Sequence, residues 1–175
     1  MATFYIRGRC EQLENFPVLT NMDYVEFRNI LNPALEILNR QSQDFKDKFG
    51  DAPFIIKPTS REFISAFEKR LDIKIPQFYK EFIVEFNPHG LEIMFHSLNG
   101  LEEIEGTLDF LRSHKVLNRD FVPISSDNSG NYYCVKENND LIYFLDHERF
   151  FDIGNTQTIE DYFQNLVNEK ISDSN

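Results

Sequence analysis

Asp146, His147 and Glu148 put two carboxylates and an imidazole in consecutive positions, residue types that hold zinc and other divalent metals when their donor atoms converge. Consecutive residues of a strand point to alternate faces, so this triplet reads as a polar turn and not as a metal centre. Ser125, Ser126 and Ser129 offer hydroxyl nucleophiles. No glycine-serine-glycine elbow surrounds them and no pattern assigns them a base, so they read as turn residues whose hydroxyls bond nearby backbone. His89, His96 and His114 are scattered through a turn, a strand and a helix end. Cys10 and Cys134 stand far apart, outside any metal-ligand spacing, and read as reduced thiols, with Cys134 a small buried hydrophobe of a strand. The glycines form no phosphate-binding loop ahead of a helix. No catalytic set emerges, and neither metal nor cofactor is expected.

The abundant chemical group is carboxylate. The 175 residues carry a formal net charge of −11, and its placement is uneven. Residues 1–57 hold 7 basic and 8 acidic side chains, whereas residues 58–175 hold 11 and 21, a balance of −10. Seven acids (Glu81, Glu85, Glu92, Glu102, Glu103, Glu105 and Asp109) follow one another with no Lys or Arg between them. A second stretch contains Asp120, Asp127, Glu137, Asp140, Asp146 and Glu148 against Lys136 alone. Such a surface repels a phosphate backbone, so direct nucleic-acid binding is not expected. It either keeps the protein dispersed or forms an electrostatic face that attracts a basic protein and speeds its association.

These residues depend on the elements that carry them. Thr59 and Glu62 have capping-box spacing, and Phe63, Ile64, Phe67 and Leu71 recur as one helical stripe, with Glu62, Glu68, Lys69 and Arg70 on the wet side. Asp72 to Ile75 alternate as an extended elbow. Pro76 then opens a second helix whose stripe is Phe78, Tyr79, Phe82, Ile83 and Phe86, with Lys80, Glu81 and Glu85 outside. Leu91 to Leu98 reads as one strand, and Gly100 as a turn before a helix through Leu101, Ile104, Leu108 and Leu111. Gly106 weakens the middle of that helix or splits it, with Thr107 then capping the second part. Three short apolar runs at 121–124, 132–135 and 141–145 are separated by polar turns and predict antiparallel hairpins. A further strand is expected at Phe150, Phe151 and Ile153 before Gly154 and Asn155 turn the chain into a last helix with Ile159, Tyr162, Phe163, Leu166 and Val167 inward. Ahead of all this, Phe4 to Ile6 suggest a strand and Asp23 to Leu31 a helix. Pro33 either kinks that helix or starts another through Phe49, with Leu35, Leu38, Phe45 and Phe49 on one face. The pattern predicts an α+β domain whose mainly antiparallel sheet, a β-meander, is flanked by an N-terminal helical pair and a C-terminal helix.

The helical pair with its Ile75-Pro76 and Tyr79-Lys80-Glu81-Phe82 resembles the opening of the SUKH superfamily, which includes the yeast cell-wall-assembly-regulator domain and many bacterial immunity proteins. FVPISSDNSGNYYCV (121–135), LIYFLDHE (141–148) and TIEDYFQNLV (158–167) are similar, in order, to its strand-turn-strand, following strand and closing helix. The resemblance implies a single SUKH-like domain at 58–175, with 1–57 an N-terminal elaboration packed on it. It also implies a binding protein, not an enzyme: an immunity protein that neutralises a cognate toxin, such as a nuclease with a basic surface, by stoichiometric complex formation. On that reading the contact candidates are Glu102, Glu103, Glu105 and Asp109 on the helix and Asp127, Asp146 and Glu148 in the meander turns. The alternative is a regulatory or scaffold module of the cell-wall-assembly-regulator type. The chain contains neither a bilayer-length apolar run nor a cleavable leader pattern, so a cytoplasmic location with no membrane partner is expected.

Overall fold

The computed structural model describes residues 22–50, 54–116, 120–149 and 152–174. Helix α1 (Tyr24–Phe49) starts at Asp23, whose carboxylate accepts the Glu26 amide at 2.8 Å, and ends at Gly50 with φ +87°. Pro33 lies inside it and neither ends nor restarts the helix. An internal proline costs about 3 kcal/mol. Here the stripe Phe27, Leu31, Ala34, Leu35 and Leu38 is buried, and each large apolar side chain contributes about 1.5–3 kcal/mol in the other direction. Phe45 and Phe49 continue the stripe by spacing but not by burial. They are 42% and 68% exposed, with their rings 4.6 Å apart. The strand expected at Phe4 to Ile6 lies outside the described residues.

Helix α2 (Arg61–Leu71) is capped by Ser60, not Thr59: the Ser60 hydroxyl accepts the Phe63 amide at 3.2 Å. Both residues are good caps, and only the backbone decides between them. Phe63 is 59% exposed and leaves the stripe to Ile64, Phe67 and Leu71. Glu68, expected in water, is buried, where its Oε1 accepts the Ile75 amide at 2.7 Å and meets Lys80 Nζ at 3.0 Å. This ion pair ties α2 to α3 (Gln77–Glu85) across an elbow in which Ile73 and Ile75 point inward although no strand forms. Pro76 is the α3 cap, and Phe78, Tyr79, Phe82 and Ile83 are buried as the periodicity predicts.

The remaining chain forms an antiparallel meander. Strands β1 (Ile55–Ile56) and β2 (Pro88–His89) pair as a small ribbon. A six-stranded sheet then runs in sequence order: β3 (Leu91–Ile93), β4 (His96–Leu98), β5 (Val122–Asp127), β6 (Tyr132–Lys136), β7 (Asn139–Asp146) and β8 (Asp152–Thr158). The single strand expected over Leu91 to Leu98 is instead the β3–β4 hairpin. Its turn places Met94 at φ +57°, with none of the glycine or asparagine that marks such turns in sequence. Ser125 and Ser126 are strand residues of β5 and not turn residues. Strand β8 runs through Gly154 and Asn155, which lie opposite a register shift between Tyr143 and Leu145, so they bulge the strand where a turn was expected. Phe150 and Phe151 lie outside the described residues. Helix α4 (Leu101–Ser113) connects β4 to β5 and is continuous through Gly106, because the Leu101, Ile104, Leu108 and Leu111 stripe outweighs the roughly 1 kcal/mol a helical glycine costs. Helix α5 (Ile159–Asp173) begins at Thr158, whose hydroxyl accepts the Asp161 amide.

The core is aromatic and draws on α1, α3 and α5 together. The Phe27 ring centre lies 5.0 Å from Phe78, 5.6 Å from Phe82 and 4.8 Å from Phe163, all in edge-on geometry. The fully buried Tyr79 hydroxyl is satisfied between the carbonyls of Asn99 and Ile124, at 2.9 and 2.8 Å, which anchors α3 to the segment that leads into α4.

Candidate functional site

Helix α4 presents the largest group of the acids singled out in the sequence. Its start is held by Asn87, whose Oδ1 accepts the Leu101 amide at 2.9 Å, and by the absence of a side chain at Gly100. A Cβ there would stand 2.2 Å from the Pro88 carbonyl oxygen, so only glycine lets β2 approach the helix so closely. Glu102, Glu105 and Asp109, at spacings of three and four, share one helical stripe, and Glu102 and Glu103 sit in the first turn, where the helix dipole favours negative charge.

Their surroundings differ. Glu102 and Asp109 are exposed. Glu103 Oε1 lies 2.5 Å from His89 Nδ1, and its Oε2 is buried without a hydrogen-bond partner. Glu105 receives both terminal nitrogens of Arg70 on α2, and this guanidinium holds its carboxyl below the ordinary carboxylate range. Arg70 thus offsets the charge at Glu105, whereas Glu102 and Asp109 stay exposed, with Glu102 Oε2 4.0 Å from His89 Nδ1.

The meander turns carry the second group. Asp127 spends both oxygens inside its own hairpin: Oδ1 accepts the Ser129 and Asn131 amides at 2.9 and 3.0 Å, and Oδ2 accepts the Asn131 side-chain amide and the Tyr133 hydroxyl. Burial raises its pKa, but these donors outweigh it and hold the carboxyl below its usual value. Asn131 also reaches the next turn, where its Oδ1 accepts the His147 amide at 3.0 Å and faces His147 Nδ1 at 2.9 Å. Asp146 Oδ1 accepts the Glu148 amide, closing a short 3₁₀ turn at His147–Arg149 that leaves Glu148 exposed. Asp127, Asp146 and Glu148 therefore belong to one connected surface. On β6 the Tyr132 ring lies 6.3 Å from Phe110 of α4.

Among the described residues no three His, Cys, Asp or Glu side chains are grouped so as to hold a metal ion. Cys134 is fully buried, and burial raises its thiol pKa far above the ordinary value. Ser125 is buried and accepts from the Tyr162 hydroxyl at 3.0 Å, and the same hydroxyl lies 3.1 Å from His96 Nδ1. Burial lowers the His96 pKa despite the nearby negative charges of Asp127 and Glu169. Sequence reasoning missed this Ser125–Tyr162–His96 link, and no local signal marks it, because its members are 29 to 66 positions apart.

The family model of the SMI1 / KNR4 family (SUKH-1) matches residues 58–169, a span that begins just before α2 and ends within α5. The chain belongs to the SMI1 / KNR4 family. No curated protein matches it. Both acidic groups lie inside the family domain, while α1 precedes it and still supplies Phe27 to the core. No helix among the described residues is long and apolar enough to cross a membrane.

Proposed function

We propose that this SMI1 / KNR4 family member is an immunity protein that binds one cognate protein toxin in a stoichiometric cytoplasmic complex and blocks it without chemistry of its own. The observation that carries this reading is the coincidence of the family match at 58–169 with the acid-rich part of the chain. A surface of that sign recruits a basic partner and speeds its association. The toxin class it fits is an enzyme with a basic substrate-binding surface, a nuclease foremost, whose phosphate-binding positions the carboxylates would fill.

The contact set is Glu102, Glu103, Glu105 and Asp109 on α4 with Asp127, Asp146 and Glu148 on the turns. Glu102, Asp109 and Glu148, all exposed, make the direct contacts. Glu103 and Glu105 contribute from beside His89 and Arg70, and Asp127 acts by shaping its turn. The test is co-expression with the protein encoded beside this one in its genome. Restored growth and a co-eluting complex on size exclusion are expected. If neither occurs, a regulatory scaffold module becomes the better reading, supported by the same family membership.

A further inference from the structure

The β6–β7 turn and the start of α3 enclose a cavity of about 130 Å³, lined by Met22, Gln77, Lys80, Glu137, Asn138 and Asp140 among others. Asp140 is only 9% exposed. Its Oδ1 accepts the Met22 amide at 3.1 Å, while Oδ2 is buried and has no hydrogen-bond partner. A buried carboxylate oxygen left unpaired is costly, and such a group in a native fold points to something that pairs with it.

The charges around the cavity favour a cation. Asp140 and Glu137 face it, against Lys80, and the Lys80 ammonium is held 3.0 Å from the buried Glu68. The first turn of α3 adds a weaker partial positive charge, since Pro76 provides no side-chain cap. Two lining carboxylates against one ammonium that is already paired with Glu68 leave the site negative. Its size favours a flat group: a cavity of about 150 Å³ admits benzene, so this one accommodates the smaller plane of a guanidinium. A guanidinium also presents five N–H donors and stays charged at any accessible pH.

We propose that this cavity is a socket for an arginine side chain of a protein partner, with Asp140 accepting from the guanidinium and Glu137 supplying a second carboxylate at the rim. The inference rests on the reading that the partner is basic, but it concerns a site apart from the α4 face. Oδ2 lies beneath the accessible surface, so the guanidinium reaches it through a turn of the Asp140 carboxylate, and engagement is read first at the Met22 amide that this turn disturbs.

The probe is N-acetylarginine methylamide, titrated into the labelled full chain at constant ionic strength and followed by NMR. Saturable shifts are expected at the Met22, Gln77 and Asn138 amides and the Asp140 carboxyl carbon, with the lysine analogue weaker on the order of tenfold. Asp140→Asn should abolish saturation. Should that variant fail to fold, exposed Glu137→Gln must weaken the arginine probe about threefold or more, the loss of one charged acceptor. Shifts that do not saturate, that persist in Asp140→Asn, that ignore Glu137→Gln, or that are equal for lysine would each overturn the socket. The probe needs no toxin, so saturation without any protective phenotype would keep the socket and reject the immunity reading, and the reverse result would do the opposite.

Discussion

Phe27 lies outside the family match, in α1, yet it stands at the centre of the aromatic core. We therefore propose that α1 is an integral part of the folded unit, and Phe27→Ala tests it. The side chain is fully buried and contacts rings from both α3 and α5. A buried aromatic removes about 150–250 Å² from water, which at about 25 cal/mol per Å² amounts to roughly 4–6 kcal/mol. That figure is an upper bound, because unfolded chains already bury part of this area, and measured Phe-to-Ala losses run at about 3–5 kcal/mol. For a chain of this size each kcal/mol moves the midpoint by about 2–4 °C, so a fall of roughly 6–20 °C is expected. Urea denaturation followed by far-UV circular dichroism, with thermal melts as a second probe, gives the value directly. A loss below about 1 kcal/mol would mean that α1 is an appendage and that the core is complete without it.

Two glycines should respond in opposite directions. Gly100→Ala drives a Cβ toward the Pro88 carbonyl and should cost about 1–3 kcal/mol, whereas Gly106→Ala, with nothing within 4 Å, should gain about 0.5–1 kcal/mol; denaturant midpoints check both. The Asp127 carboxyl is held below its unfolded value, so its stabilisation is complete above about pH 5 and lost as pH falls through the lower folded value. Asp127→Asn should be less stable than the parent at pH 7, and the gap should narrow on acidification; a gap that is constant with pH would show that the turn does not depend on the charge.

How far these features can be read from sequence depends on where their causes lie. Helix α3 is legible because its stripe has the helical period and every member packs as that period requires, apart from the half-buried Phe86. The α2 cap is ambiguous by one residue in the sequence because Thr59 and Ser60 are both competent, and the structure uses Ser60. The β3–β4 turn has no local mark, since Met94 takes a left-handed conformation imposed by pairing on either side. Glu68 and Lys80 look like solvent residues by type, and only the packing of two helices buries Glu68 and brings the half-buried Lys80 to it. The acids of the candidate face were legible as charges but not as partners. That Asp127 is consumed by its own hairpin, and that Glu103 and Glu105 face His89 and Arg70, depends on contacts between segments that no spacing rule reports.

Those contacts also determine how the acidic face should be tested. Reversing Glu103 or Glu105 would break the close His89 and Arg70 pairings, so the variant that disturbs least is Glu102→Lys with Asp109→Lys, both exposed and on one stripe of α4, the nearest His89 contact of Glu102 being 4.0 Å. The decisive measurement is stopped-flow association with the purified partner at two ionic strengths, on a variant whose melt matches the parent. If the face recruits a basic toxin, the association rate at low salt should fall on the order of tenfold and its salt dependence should flatten. An unchanged rate with an unchanged salt slope would contradict the account and leave these carboxylates a solvated face.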